Sequence, residues 1–421
     1  MYRLLASLLL LSSWLLPLSA HAAVVTGAEQ LARENFGFLR GTRFGLITNQ
    51  TAQVRGVHLI DLMERAGVPP AVIFTPEHGL EGTAEDGVKL TDTKHEGIPV
   101  RSLYNGEMKP RPDDLKGLDY LVFDIQDIGV RYYTYISTMG LAMEAAAQAD
   151  VPFVVLDRPN PLGGDYVAGF PGTDVPRSFT SLFPIPVAHG LTVGELASMI
   201  KGERLLPGLD DLDLIVVRMQ GWERWMRWPD TDLDFVGTSP NIADFEASLM
   251  YAGTGLVEAT GASEGRGTTE PFQLLGAPGI DAEQLAQQLN QERLPGLHFE
   301  PVQFTPQRLP GKCSDPKFKG TPVSGVRIDI TDYHEVRPVE TGIAVVCALY
   351  GALSPERRAG FFQGGFDDMA GTRQLRGEVG GGVPPQRIEE GWSQAVGDFL
   401  KRREPYLLYP QEAPAETEDA P

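Results

Sequence analysis

The chain has 421 residues, a formal net charge of −20 and 42% hydrophobic residues. That charge excludes steering toward nucleic acid or anionic lipid except through a local basic pocket, and the length exceeds what one ordinary core fills, so two domains are expected. The only two cysteines, Cys313 and Cys347, have no His or Cys at ligand spacing, which argues against a structural zinc site and a cysteine nucleophile.

Arg3 is followed by an apolar run from Leu4 to Leu18 and then by Ala20-His21-Ala22, a small-residue cleavage pattern. Residues 1–22 therefore read as a signal peptide, removed on export to the periplasm or the medium. The run is shorter than the roughly 20 residues a bilayer span needs, and no Cys at the cleavage point offers a lipid anchor. With no later run of this kind, the mature protein is expected to be soluble, without a membrane span. Export would permit a Cys313–Cys347 disulfide; the alternative is two thiols, since Cys347 continues the apolar run Ile343–Val346.

Short β-branched runs then alternate with amphipathic stretches, the pattern of a parallel sheet with crossover helices. Strands are predicted at Phe44–Thr48, Ala71–Thr75, Tyr120–Asp124, Phe153–Asp157 and Leu214–Met219. Helices are predicted at Gly56–Ala66, Tyr135–Ala149 and Thr192–Gly202, the last opened by a Thr192/Glu195 capping box. The expected fold is α/β: a Rossmann-like parallel-sheet domain over 23–235, a smaller α/β domain over 236–405 with a strand at Val326–Thr331 and a helix near Val339–Leu353, and a disordered acidic tail over 406–421. No strand leads into Gly-x-Gly-x-x-Gly and no phosphate-binding Gly-Lys-Ser/Thr loop occurs, so neither nucleotide nor other cofactor is expected.

Four polar clusters follow the strands: Asn49-Gln50-Thr51, Pro76-Glu77-His78-Gly79, Gln126-Asp127 and Arg158-Pro159-Asn160. In open α/β sheets they converge on the rim where ligands bind. Pro76 and Gly79 fix a tight turn able to aim Glu77 into a cleft, where partial desolvation would suit it to protonating a leaving oxygen. The alternative is that Glu77 caps the next element and His78 makes a structural hydrogen bond. Glu77-His78 lacks the second His of a metalloprotease motif, so no metal is expected. Arg131, Tyr133 and Tyr135 could offer a cation and aromatic faces to an anionic sugar, or form core and scaffold. Glu264 and Arg266, in a Gly-rich loop, could add a second acid and cation, or an exposed ion pair. Arg158 and His189 read as structural on their surroundings.

Together, Gly45–Thr51, Pro76–Leu80, Phe123–Tyr135, Asp157–Pro161, His189–Glu195 and Glu264–Thr268 resemble the family of exo-β-N-acetylmuramidases. Six ordered segments through most of the mature chain make that resemblance specific. It implies a cleft between a Rossmann-like and a smaller domain, release of N-acetylmuramic acid from the non-reducing end of peptidoglycan fragments, and Glu77 as the leading catalytic residue. Asp127 and Glu264 are the candidate partner carboxylates; Asn49, His78, Arg131, Tyr133, Tyr135, Arg158, Asn160 and Arg266 are candidate contacts of peptidoglycan-derived saccharides, with Arg131 or Arg266 on the lactyl carboxylate. Carboxyl separation decides retention against inversion, and sequence does not measure it. Rival readings are a periplasmic saccharide-binding protein without turnover and a cell-wall deacetylase or amidase; acids at strand ends disfavour the first, and the shortage of His ligands disfavours the second.

Overall fold

The computed structural model describes residues 23–410 apart from Asn105. The expected signal peptide, residues 1–22, and residues 411–421 of the expected tail lie outside the described residues. The first sheet comprises β1 (Phe44–Thr48), β4 (Val72–Thr75), β5 (Thr93–His95), β6 (Ile98–Ser102), β7 (Tyr120–Asp124), β8 (Phe153–Leu156) and β9 (Leu214–Val217), while β2 (Gln53–Val54) and β3 (Val57–His58) form a separate hairpin. Its order is β5-β6-β4-β1-β7-β8-β9, parallel throughout except for β5 on the edge. The chain winds outward from β1 in one direction and then in the other, so the topological switch point lies between β1 and β7. Helices α1 (Gly27–Arg33), α2 (Leu59–Arg65), α3 (Pro112–Leu115), α4 (Tyr135–Gln148) and α5 (Val193–Gly202) accompany these strands. The buried runs of β1, β4 and β8 are what a parallel sheet covered on both faces requires.

All five strands expected here form. The sequence missed β5 and β6 because Thr93-Lys94-His95 is a polar edge strand and Pro99 weakens the strand signal of β6. The helix expected from Gly56 begins only at Leu59, after the hairpin, and His58 Nδ1 accepts the Ile60 N–H at its start. The Thr192/Glu195 capping box of α5 is formed.

The second sheet is antiparallel, ordered β10-β12-β11, with β10 at Leu274–Ala277, β11 at Leu297–Phe304 and β12 at Val323–Ile330. Helix α7 (Ala282–Gln291) packs on it, and the apolar α8 (Pro338–Ala352) packs against both α7 and α6 (Phe245–Thr254). Cys347 on α8 and Cys313 on a loop are free thiols, so the possible disulfide is not formed; burial pushes the Cys347 thiol up to about 12. One apolar core runs through both domains, from Phe123 and Tyr132 to Tyr251, Phe272 and Val346. The chain also stays packed beyond 406, which corrects the tail boundary. Tyr409 is buried, stacks edge-on against Trp222 at 5.1 Å and donates its hydroxyl to Asp157 Oδ2 at 2.5 Å.

At the α6–α8 crossing the backbones touch through Gly253 and Gly342. A Cβ on Gly253 would lie 1.7 Å from the Pro338 carbonyl oxygen, whereas Gly351, at the far end of α8, faces open space. Gly253→Ala should therefore lower stability by about 2–3 kcal/mol through overpacking. Gly351→Ala should raise it by about 0.5–1 kcal/mol through helix propensity. Denaturant unfolding of the two variants checks both signs.

Candidate active-site cleft

Strand β4 delivers Pro76 and Glu77 to the sheet rim, and the next two residues turn the chain sharply, with His78 at φ +71° and Gly79 at φ +79°. A left-handed histidine is strained by about 1–3 kcal/mol, and such strain gathers where a side chain must be aimed. The imidazole repays it by donating from Nδ1 to the Ala84 carbonyl at 2.8 Å, which closes the loop on itself. Glu77 is held from several sides. Its Oε1 accepts the Gly87 N–H at 2.9 Å and its Oε2 the Thr134 hydroxyl at 3.3 Å. Thr134 precedes α4 without capping it, which leaves that hydroxyl available. Tyr104 also hydrogen-bonds Glu77; burial first, and then that carboxylate, push its phenol up to about 12.

Glu77, His78 and Thr134 form one wall of an open cleft between the two domains. Tyr133 and Tyr135 line it, packed edge to face at 4.9 Å, with their hydroxyls donated to the Thr238 side chain at 2.8 Å and the Thr238 carbonyl at 2.7 Å. Both side chains are buried, Tyr133 8% and Tyr135 1% exposed, so they back the cleft wall as part of the core. Arg266 reaches the cleft from the second domain, with Nε donating to Glu258 Oε1 at 2.9 Å, a second bond to the same oxygen and one to Asp86. Burial alone would lower its pKa, but Glu258, Asp86 and Glu264 hold the guanidinium above its ordinary value. Burial raises the Glu258 carboxyl, only partly offset by Arg266. Glu77, His78, Tyr133, Tyr135 and Arg266 are thus brought together.

The other expected residues lie elsewhere, and the reason is the same for each: they are used up inside. Asp127 is buried under the loop, where its Oδ2 takes the Gly129 N–H at 2.7 Å; burial outweighs the Gly129 and Ile128 amides and lifts the carboxyl to about 7. Gly129 itself has φ +76°, and a Cβ there would meet Asn160 Oδ1 at 2.1 Å, so this turn leaves no room for a sugar. Glu264 is buried against Lys317 Nζ at 2.9 Å. Arg131 donates to Ser181 Oγ at 2.7 Å and to the Asp368 and Met369 carbonyls at 3.1 and 2.8 Å. Asn49 bonds Thr51 and Tyr135, and Asn160 bonds Leu191 and Leu162.

Arg158 grips Asp124 through two bonds of 2.6 and 2.9 Å and borders a separate cleft of about 530 Å³ beside Trp228. That second cleft sits nearer the switch point, where fold analogy would look first, but none of Glu77, Glu258 and Arg266 lines it. We therefore assign the chemistry to the interdomain cleft.

Two cleft residues escaped the sequence reading. Glu258 is the one charged side chain between Ala247 and Ala262, and a lone charge in so apolar a stretch was a usable signal. Asp86 had none, being one acid among several in its loop. Among the described residues no three His, Cys, Asp or Glu side chains converge in a metal-ligating group.

Residues 44–246 match the family model for exo-β-N-acetylmuramidase NamZ, N-terminal, and residues 249–409 match its C-terminal counterpart. The chain belongs to the exo-β-N-acetylmuramidase NamZ family. The peptidoglycan β-N-acetylmuramidase NamZ of Bacillus subtilis is 41% identical over 392 residues, covering 92% of this chain and 91% of that protein. Two crystal structures of DUF1343 family proteins from Bacteroides fragilis share the fold. One is 36% identical with a TM-score of 0.83, over 92% of this chain and 99% of that chain; the other is 30% identical with a TM-score of 0.77, over 93% and 100%. Membership of the exo-β-N-acetylmuramidase family makes the chain a glycoside hydrolase.

The buried Asp127 gives a pH-dependent prediction. As pH rises from about 4 toward 7 the unfolded chain loses this proton while the folded chain keeps it, so stability falls through that window and stays lowered above it. Asp127→Asn removes the ionisation. It should match wild type in stability near pH 4–5 and exceed it by on the order of 2 kcal/mol at pH 8, as read by urea unfolding at both pH values.

Proposed function

We propose that this chain is exported and releases N-acetylmuramic acid from the non-reducing end of peptidoglycan fragments, with Glu77 protonating the departing glycosidic oxygen. Export is supported by the Arg3–Ala22 pattern and by the location of the polymer. The observation that carries the role of Glu77 is its environment: a carboxyl in an aromatic-walled cleft, oriented by the Gly87 amide, the Thr134 hydroxyl and Tyr104. When the proton passes to the glycosidic oxygen and the C1–O bond breaks, negative charge appears on Glu77, where those donors already point. Water then adds to C1 and gives up a proton.

Besides Glu77, the carboxyls of Asp86 and Glu258 line the cleft, and Glu258, the more buried of the two, takes the place of Asp127 and Glu264 as the candidate partner. As a carboxylate beside Arg266 it can take that proton or orient the substrate acetamido group for attack on C1. Tyr133 and Tyr135, buried behind the cleft and tied to Thr238, hold its wall in place.

Turnover of a chromogenic N-acetylmuramide by wild type, Glu77→Gln and Glu258→Gln tests this assignment. Glu77→Gln should lose roughly 10²–10⁴-fold in kcat on a natural disaccharide, and less on an aryl glycoside whose leaving group needs no proton. Glu258→Gln should lose activity on both substrates alike. Wild-type turnover of the natural disaccharide by Glu77→Gln would remove it from the mechanism.

A further inference from the structure

Among the described residues lining the cleft, Arg266 is the single guanidinium or ammonium group, and both of its edges are occupied. One edge belongs to Glu258, eight residues away in the same domain. The other is taken by Asp86, from the loop after β4 in the first domain. The two partners differ in solvation: the Glu258 side chain is 21% exposed and that of Asp86 42%, with Arg266 at 16%. Breaking the Arg266–Glu258 contact would strand a buried charge, whereas Asp86 can return to water at little cost.

The local charge count points the same way. Asp86 and Glu258 bond the Arg266 guanidinium, and Glu264 lies 3.8 Å from its Nε while pairing with Lys317, so three carboxylates stand against two cations. A further negative charge brought beside Arg266 is repelled by the excess. A carboxylate that takes the place of Asp86 leaves the count as it was, and it meets a planar donor edge shaped for two oxygens.

We propose that Asp86 occupies the guanidinium edge that receives the lactyl carboxylate of muramic acid, and that substrate binding exchanges one carboxylate for the other. The inference rests on the proposed activity and adds its specificity device. The neighbours of Asp86 make the exchange local. Glu85 is tied to the second domain by the Ser314 amide at 2.7 Å, the Ser314 hydroxyl at 2.6 Å and the Gly311 amide at 3.2 Å, so the loop stays docked when Asp86 turns away. Gly87, on the other side, gives its N–H to Glu77. Departure of Asp86 is thus felt one residue from the donor that orients the acid. His78, whose Nε2 lies 3.7 Å from Asp86 Oδ1, is the other group facing that carboxylate.

The test is calorimetric titration of the full mature chain with N-acetylmuramic acid and with N-acetylglucosamine, for wild type, Asp86→Asn, Arg266→Lys and Arg266→Gln, with thermal unfolding of each as a folding check. Asp86→Asn should bind N-acetylmuramic acid roughly two- to fivefold more tightly, as expected from removing a half-exposed competing ion pair, with N-acetylglucosamine unchanged. Arg266→Gln should erase the difference between the two sugars, and Arg266→Lys should keep part of it. Tightening of both sugars alike, or weaker binding of muramic acid by Asp86→Asn, overturns the exchange. Turnover of the chromogenic muramide, measured in parallel, separates the two levels. A wild type that cleaves the muramide while Asp86→Asn shifts neither affinity leaves the activity standing and the exchange refuted. A wild type that neither binds nor cleaves refutes both.

Discussion

Arg131 carries a full charge into the interior and bonds the Ser181 hydroxyl and two carbonyls of the second domain. Burial lowers its pKa to about 10, yet it stays protonated at neutral pH, so those acceptors must stay in place. Next to it, the Tyr132 hydroxyl donates to the Tyr251 carbonyl at 2.8 Å, and Tyr133 and Tyr135 close on Thr238. This one segment after β7 is therefore a peg set into the second domain. The interdomain angle, and with it the cleft, depends on a buried cation that tolerates no slack. With the proposed acid Glu77 and the cleft cation Arg266 on different domains, the proposed reaction needs that rigidity, because small displacements of reacting groups are costly to rate.

The same segment explains why the cleft is not where the Rossmann topology alone would put it. The switch point between β1 and β7 is crowded by Asn49 and Asp127, which bond within their own loops, by Asn160 on the Leu191 carbonyl, by the Asp124–Arg158 pair, and by Gln126, which bonds Thr51 and Pro159. The polar rim of the sheet has become scaffold. The proposed site lies one strand outward, at the loop after β4, where Glu77 lines the cleft against the second domain. The Glu85-Asp86-Gly87 triplet then links anchoring, the cation and the acid within three residues.

Legibility in the sequence followed burial. Strands buried on both faces, such as Phe44–Thr48 and Tyr120–Asp124, announce themselves as apolar runs, and the capping box of α5 is a local hydrogen-bond pattern that needs no tertiary partner. The polar edge strand β5 and the Pro-bearing β6 carried no such signal, since their pairing is decided by the neighbour they meet. Polar residues were harder still. Asp127 and Glu77 both follow a strand and read alike, and only packing separates the one sealed under Gly129 from the one left facing the cleft.

The sequence by itself determined the α/β class, five of the seven strands of the first sheet, the family and the loop that bears Glu77, because these rest on periodicity, turn chemistry and ordered motifs that are local in the chain. Tertiary structure alone decided which carboxylates share the cleft. Glu258 comes from a turn 181 positions beyond Glu77, and Asp86 meets Arg266 across 180 residues. Whether a charge is satisfied inside or left facing a ligand depends on partners that distant, and no spacing along the chain records them.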